Sequence, residues 1–589
     1  MPDTFVKPKQ HESIAWTKSP RTPFSTFGSY LSVQTLSHAR LGVEEPGHGV
    51  YLCGHVSRGR GKREVVRLRL LDDKREPIQT LAQPKGEQLT LSTPEQTGEL
   101  TLCFDGPDTL RVFGHHQLGL RLDAIEHPWV AGTAYPHDEQ RWVLNATPNT
   151  LRLGLDPIVG DIHANLTWQP GGNLRRMAFD LLPQDDHLDV AVDYFQSTWA
   201  PEPRDHLDDV LERASRSFQN FADAMPDAPP RFDTIRTAAA RTLWASTIAP
   251  YGLLKRPTVL MSKVIMDQVW SWDHCFNAIA LVGGLPDLAW DQLMVVLDHQ
   301  DEHGALPDAM SALFKHYNYS KPPVHGWALR EMLLKQPDLL DPPGRLHEIR
   351  TRLDRWTRWW LTHRIAPSQQ LPHYLHGNDS GWDNSTMFDR GVPLITPDLT
   401  ALLALQLETQ ADLARQSGDD TTANQHTATS ARMIDTLIDQ LWRGDTFVAR
   451  KLIGGGEVRC LSLVPLIPLV LGHRLPTSVA EAMIAALPAF LTDYGLATER
   501  PDSPAYEADG YWRGPIWAPP TLLIVSGLRD LNQHALADDI AERFCRTCAN
   551  GFAENFEATT GKPLKDPSYT WTAAAMLILG QQLTQRQPA

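Results

Sequence analysis

Apolar and polar positions repeat with a period of two through the first third of the chain and with a helical period afterwards. Alternating or β-branched runs recur at Val65–Leu70, Gln88–Leu91, Glu99–Phe104, Thr109–Phe113, Leu118–Leu122 and His187–Asp193. Turn formers separate several of them: Asp72-Asp73, Gly106-Pro107 and Gly171-Gly172. Many short strands with closely spaced turns predict a β-sandwich. The pattern changes around the Pro-rich segment 200–205. From about Asp208, Val210, Ala214, Phe218 and Phe221 fall on one helical stripe. Further helical segments follow at Ile235–Ala249, Leu288–Gln300, Leu346–Arg364, Thr396–Ser417, Thr427–Trp442, Val479–Leu491, Pro519–Leu531, Leu536–Cys548 and Thr570–Leu583. Such a run without strand alternation excludes a βαβ fold and points to stacked helix pairs. No fixed repeat period is present, so a closed toroid fits better than a solenoid. The expectation is a mainly α chain, with a β-sandwich-like domain over 1–205 and a helical barrel over 206–589.

Composition narrows the class. The 589 residues are 42% hydrophobic and 21% charged, which rules out a disordered or fibrous chain. With 55 basic and 70 acidic side chains the net charge is −15, so no field attracts nucleic acid or an anionic membrane. Six cysteines are too few and too scattered for a disulfide framework. Cys545-Arg-Thr-Cys548 lacks a second CxxC and lies in a helical stretch. The opening residues 1–13 carry no apolar core of a signal peptide. The most apolar stretch, Leu461–Leu471, is broken by Pro465 and Pro468 and is too short to span a bilayer. These features predict a soluble, cytoplasmic protein.

Candidate chemistry sits in the loops. Tryptophan occurs 18 times, mostly beyond residue 205. Trp270, Trp272, Trp327, Trp382, Trp512 and Trp517 lie in polar, loop-like stretches, whereas Trp356, Trp359 and Trp360 fit a helix core. Flat apolar faces beside carboxylates and amides suit sugar rings, whose C–H faces stack while their hydroxyls hydrogen-bond. Four inter-helix regions combine tryptophan, glycine and acids: Gln268–Phe276; Gly304–Asp308 with Lys321–Trp327; His376–Ser385; and Gly510–Trp517 with Ala553–Glu557. In a toroid of helix pairs such loops converge on one mouth, so distant acids can share a cleft.

The segments WSWDHCF, PPVHGW, NDSGWDNS, YWRGPIW and AENFEATTG resemble glycoside hydrolase family 63, over roughly residues 235–585. Trehalases and debranching enzymes share parts of this pattern. The resemblance implies an (α/α)6 barrel and hydrolysis of α-glucosides with inversion, by an exo-acting enzyme. Inversion needs two carboxyl groups about 6.5–9.5 Å apart, with room for a water between them. Carried over by motif, the general acid falls on Asp383 and the base on Glu554. Trp272 and Asp273 match the pair that binds the sugar at the cleaved position. Asp379 takes a place often held by Glu, which leaves its role open; a carboxylate there could raise the pKa of Asp383. Gly381 and Trp382 belong to the same loop. Tyr511, Trp512, Arg513 and Trp517 resemble a binding wall, with Arg513 or His325 as the cation for a glycerate-type substrate. His325 and Trp327 in Val-His-Gly-Trp complete the substrate-binding set.

Plainer readings compete with each assignment. An Asp in Ser-Gly-Trp-Asp-Asn is by default a turn or cap residue. Asp273 could simply start a helix, His325 could tie two loops, and Glu557 could replace Glu554 as base. Glu507 and Asp509 read as solvated. A sugar epimerase on an α/α-barrel would rely on histidines, and a silent carbohydrate-binding protein would have no use for both acids. The chemistry requires no cofactor. A structural Ca²⁺ among the acidic loops stays open, although no EF-hand spacing occurs. A small carbohydrate is the expected partner, and a homo-oligomer is not excluded.

Overall fold

The computed structural model describes residues 23–37, 48–56, 64–95, 98–115, 117–124, 132–146, 151–169 and 173–585. Residues 1–13 and the expected Gly171-Gly172 turn lie outside the described residues. Each strand expected from alternation is a strand, within one or two residues at its ends. Between Leu31 and Phe195 the strands form a six-stranded and an eight-stranded sheet, paired antiparallel throughout. The strand His187–Phe195 lies inside the larger sheet, flanked by Thr109–His115 and Leu151–Val159, with Val190 opposite Val112 and Val192 opposite Leu155. Leu68, Leu70, Leu120 and Leu122 of one sheet and Leu110, Val112, Val190 and Val192 of the other are buried, as period-two strands with one wet face require.

Ion pairs knit this region. Arg121 grips Asp180 through two bonds of 2.6 and 2.7 Å, and Arg111 grips Asp189 at 3.0 and 2.5 Å. The segment 200–205 is strapped down rather than free. Arg204 bonds Asp156 at 3.1 Å and also Asp193, while the Trp199 indole donates to Asp193 at 2.8 Å. Gly154 makes room for that indole: a Cβ there would come within 2.1 Å of it. The two compact units of the chain part between Gln219 and Asn220. That point lies inside helix α1 (Leu207–Asp223), because Arg213 ties its first turns to Asp105 and Asp205, both at 2.8 Å.

The second unit is helical: α2 (Asp233–Ser246), α3 (Asp273–Leu281), α4 (Pro286–Leu297), α5 (His325–Lys335), α6 (Arg345–His363) and α7 (Pro397–Gln416) come first. They are followed by α8 (Asp420–Leu441), α9 (Thr477–Ala486), α10 (Ala518–Asp530), α11 (His534–Thr547) and α12 (Thr570–Thr584). Packing runs from α3 to α5 and α7, then through a 3₁₀ segment, Val464–Arg474, to α10, α12 and back to α3. These elements form a closed inner ring. Outside it, α2, α4, α6, α8, α9 and α11 each cover an inner neighbour. Short antiparallel ribbons join some of the helices. The chain is therefore of mixed class, not mainly α, because it holds two large sheets as well as the helical ring. No helix of the described residues is long and apolar enough to cross a membrane.

The ring explains which helices the pattern hides. Every residue of α3 is buried, and so are the first five of α5. A buried helix carries no polar stripe, so Asp273–Leu281 and the buried first half of His325–Lys335 look like loops in sequence. Leu461–Leu471 overlaps the fourth inner element, where Pro465 and Pro468 favour a 3₁₀ path.

Candidate active site

The candidate residues lie in the segments that lead into inner helices. Trp272, Trp517 and Tyr569 are the residues immediately before α3, α10 and α12. Asp308 and Lys321 precede α5, and residues 376–385 precede α7. The sheltered ends of these helices also favour negative charge through their exposed N–H groups.

Glu554 is buried. Tyr511 donates to its Oε1 at 2.9 Å, and the Asp566 amide approaches its Oε2 at 3.4 Å. In return the Glu554 amide donates to the Asp566 carbonyl at 2.7 Å. Burial first, then the like charge of Asp566, pushes the Glu554 carboxyl up to about 8. Asp566 itself is fully buried and accepts from the Ser262 hydroxyl and the Ile265, Met266 and Ser568 amides, at 2.8–3.1 Å. Four donors converge on this one carboxylate, and its charge is the like charge that acts on Glu554. Tyr511 reaches Glu554 from a left-handed backbone, φ 64°, a conformation that costs energy for a non-glycine residue.

Asp383 stands in a different environment. Its side chain is 28% exposed, and the Lys321 ammonium lies 3.8 Å from it. The same ammonium is 3.5 Å from Asp308 and donates to the Asn378 carbonyl at 2.6 Å. Asp273 belongs to this cluster through the field of Lys321; the Tyr569 hydroxyl donates to it at 3.0 Å, and burial pushes it up to about 7. Asp308 is raised too, by burial above all and by the charge of Asp383 among others. Three carboxyl groups thus share one cation, and of these Asp273, with its value near 7, is still partly protonated at neutral pH. The charges of Glu554 and Asp383 both bear on the Tyr511 phenol, which brings the two acids into one site.

The aromatic residues form a wall. Trp512 stacks on Trp517 at 3.9 Å, Trp382 tilts against Trp512 at 4.9 Å, and Trp571 meets Trp272 and Trp517 edge-on at 5.9 and 5.5 Å. Gly381 lets the Asp383 loop lie on this wall: its φ is 73°, and a Cβ would come within 2.4 Å of the Trp272 ring. Asn384 clasps loop to wall, donating to the Gly510 carbonyl at 3.0 Å and accepting from the Trp512 amide at 3.0 Å.

Other expected residues serve elsewhere. Asp379 is buried with both oxygens committed to the Ser320, Leu375 and His376 amides at 2.8–3.1 Å, so it braces the loop. Arg513 is held by the Asn384 carbonyl at 2.9 Å and by Asp389, which spends its fork inside the protein. Trp327 packs on Phe276 and donates to Ser526 at 3.2 Å, within the ring. His325 is fully buried between His274 and Trp356. Glu557 accepts from Tyr506 at 2.8 Å and from Thr559; against the effect of burial, bonds from Thr560 first, then Thr559 and Tyr506, hold it at about 2, too low for a base. Cys545 and Cys548 are free and buried in the helix region. Sequence reasoning passes over Asp308, Lys321, Asn384, Asp566, Tyr569 and Trp571. All but the last three stand inside the quoted loop segments, and Tyr569 and Trp571 sit at the start of a helix whose apolar run masks them.

The profile of the mannosylglycerate hydrolase MGH1-like glycoside hydrolase domain matches residues 266–572, more than half of the chain. A mannosylglycerate hydrolase of Rubrobacter radiotolerans is 23% identical over 401 residues, covering 52% of this chain and 89% of that protein. The fold is similar to that of a GH63 mannosylglycerate hydrolase from Thermus thermophilus solved with glucose (TM-score 0.52, 19% identity, 58% of this chain and 99% of that one). It is similar as well to a bacterial glucoamylase solved with acarbose (TM-score 0.61, 10% identity, 96% and 94%).

Proposed function

The chain belongs to family 63 of the glycoside hydrolases, with the MGH1-like domain as its catalytic unit, and we propose that it hydrolyses α-glucosides with inversion on an (α/α)6 barrel. The observation that carries this reading is the pairing of Asp383 and Glu554 around Tyr511. In it the N-terminal β-region is a separate domain, and no cofactor enters the reaction.

The two acids divide the work by exposure. A leaving group must depart toward solvent, so its proton donor belongs where the site opens, and Asp383 is the more open acid. The proton it gives is replenished from the cluster of Asp273 and Asp308 around Lys321. The attacking water is a single small molecule and can be held deep, against Glu554, with Tyr511 fixing the carboxylate orientation. Glu554 must lose its proton to act, which a raised value near 8 makes a strong base once ionised. Asp273 and the tryptophan wall would hold the sugar ring by hydroxyl hydrogen bonds and stacking. Release of the β-anomer first from an α-linked substrate, followed by NMR over a panel of α-glucosides and glycosylglycerates, is the expected outcome; first release of the α-anomer would refute inversion. A second check is the pH profile: kcat/KM should rise with pH through about 8 if Glu554 is the base, and fall there if it is the acid.

A further inference from the structure

Beneath the candidate site, at the first turn of α3, His274, Cys275 and His325 bring three potential metal-ligand atoms within 4.8 Å of one another, all fully buried. No step proposed above uses them. The Trp270 carbonyl lies 2.9 Å from His274 Nδ1 and can only accept, so Nδ1 carries the hydrogen and Nε2 presents a lone pair. The Leu293 carbonyl also acts on this ring, but burial keeps the imidazole neutral, with one N–H to give. Nε2 lies 3.9 Å from the Cys275 sulfur. Neither ring nitrogen of His325 has a well-formed hydrogen bond; the Ser271 carbonyl acts on the ring without meeting that geometry. The Ser271 hydroxyl is also buried without a partner. Buried polar atoms are nearly always satisfied, so ring nitrogens without a well-formed bond, beside two other ligand atoms within 4.8 Å, invite a further group.

We propose that His274 Nε2, Cys275 Sγ and a His325 ring nitrogen bind a transition-metal ion that takes imidazole and thiolate, Zn²⁺ or Cu⁺. The donor set selects this class over Ca²⁺ or Mg²⁺, which take oxygen ligands. The bond from His274 Nδ1 to a carbonyl is the usual support of a metal-bound imidazole. Bonding distances of about 2.0–2.3 Å require the triad to contract by roughly 1 Å, a rotamer-scale adjustment. On binding, the Cys275 S–H bond breaks, the sulfur–metal bond forms, and one proton leaves to solvent. Helices α3 and α5 pack together, and the ion would pin them one residue from Asp273.

The test uses the full chain, stripped with a chelator and titrated separately with Zn²⁺ alone, and with Cu⁺ alone under anaerobic conditions. One ion per chain and release of a proton, read by calorimetry in buffers of different ionisation enthalpy, are expected with at least one of the two metals. Co²⁺ in place of Zn²⁺ should give a thiolate-to-metal charge-transfer band in the wild-type protein. Cys275→Ser should abolish that band, and His325→Gln should weaken binding by at least about tenfold. Absence of binding by the folded wild-type chain would overturn the proposal, as would variants that bind as tightly as wild type. A crystal structure with a water bridging His325 and Ser271 in metal-treated protein would do the same. Should the variants fail to fold, the wild-type Co²⁺ spectrum decides alone.

Discussion

Asp383 and Glu554 face the same site from opposite electrostatic settings. Asp383 is partly open and shares the Lys321 ammonium with Asp308. Glu554 is enclosed, bonded by one tyrosine, and backed by the like charge of Asp566. One acid lies among carboxyl groups that share a cation, and the other has a second carboxylate behind it.

The largest expected effect removes one side of the comparison. Asp383→Asn should lower kcat by roughly 10²–10⁴-fold on a substrate with a poor leaving group and much less on an α-glycosyl fluoride. Glu554→Gln should lose a comparable factor on both, because water must be activated whichever group leaves. Equal damage to both substrates by Asp383→Asn would reverse or cancel the assignment.

A second effect is on stability. Glu554 and Asp273 have folded values raised to about 8 and about 7, so folding favours their protonated forms. Their stabilising contribution is fully present below the unfolded carboxylate range near 4 and is lost as pH rises through 7 to 8. Removing the titration should therefore help most at high pH. Glu554→Gln is expected to raise Tm relative to wild type at pH 8 and by much less at pH 5, corresponding to about 3 kcal/mol at the higher pH. A Tm gain equal at both values would show that burial does not disfavour the charge.

Asp566→Asn sharpens the comparison further. Without the like charge, Glu554 ionises more easily, so the rising limb of kcat/KM should move to lower pH. Loss of carboxylate bonds to the Ser262–Met266 turn should also cut kcat, by about tenfold, roughly the worth of one charged hydrogen bond. An unmoved limb would mean that Asp566 is only a brace. The smallest expected effect is Gly381→Ala. The left-handed backbone and the Trp272 ring leave no room for a methyl. The loop should shift, with a cost of about 1–2 kcal/mol in stability and a fall in kcat larger than any change in KM.

Much of this is legible in sequence because alternation and amphipathic stripes report one thing, a boundary between wet and dry. Val65–Leu70 and Leu346–Arg364 have such a boundary and declare themselves. Helix α3 and the first half of α5 have none, being buried throughout, and read as loops. The acids at 383 and 554 are legible only through their motifs, since a buried Glu and a turn Asp look ordinary in isolation. Asp566 is invisible for a different reason: what distinguishes it is four donors drawn from residues 262–266 and 568, a convergence that only folding creates. The same holds in reverse for Arg513 and Asp379, whose chemistry suits substrate but whose hydrogen bonds are already taken by Asp389 and by main-chain amides.

The Asn384 clasp has a consequence for anyone who would re-engineer this enzyme. Because one amide side chain joins the loop of residues 376–385 to Gly510 and Trp512, the two segments move as a single part. Transplanting either loop alone into a related barrel, to borrow its specificity, would leave a torn seam beside Asp383. Grafts that carry both segments together should keep activity, and libraries that diversify them should vary the pair jointly while holding residue 384 fixed.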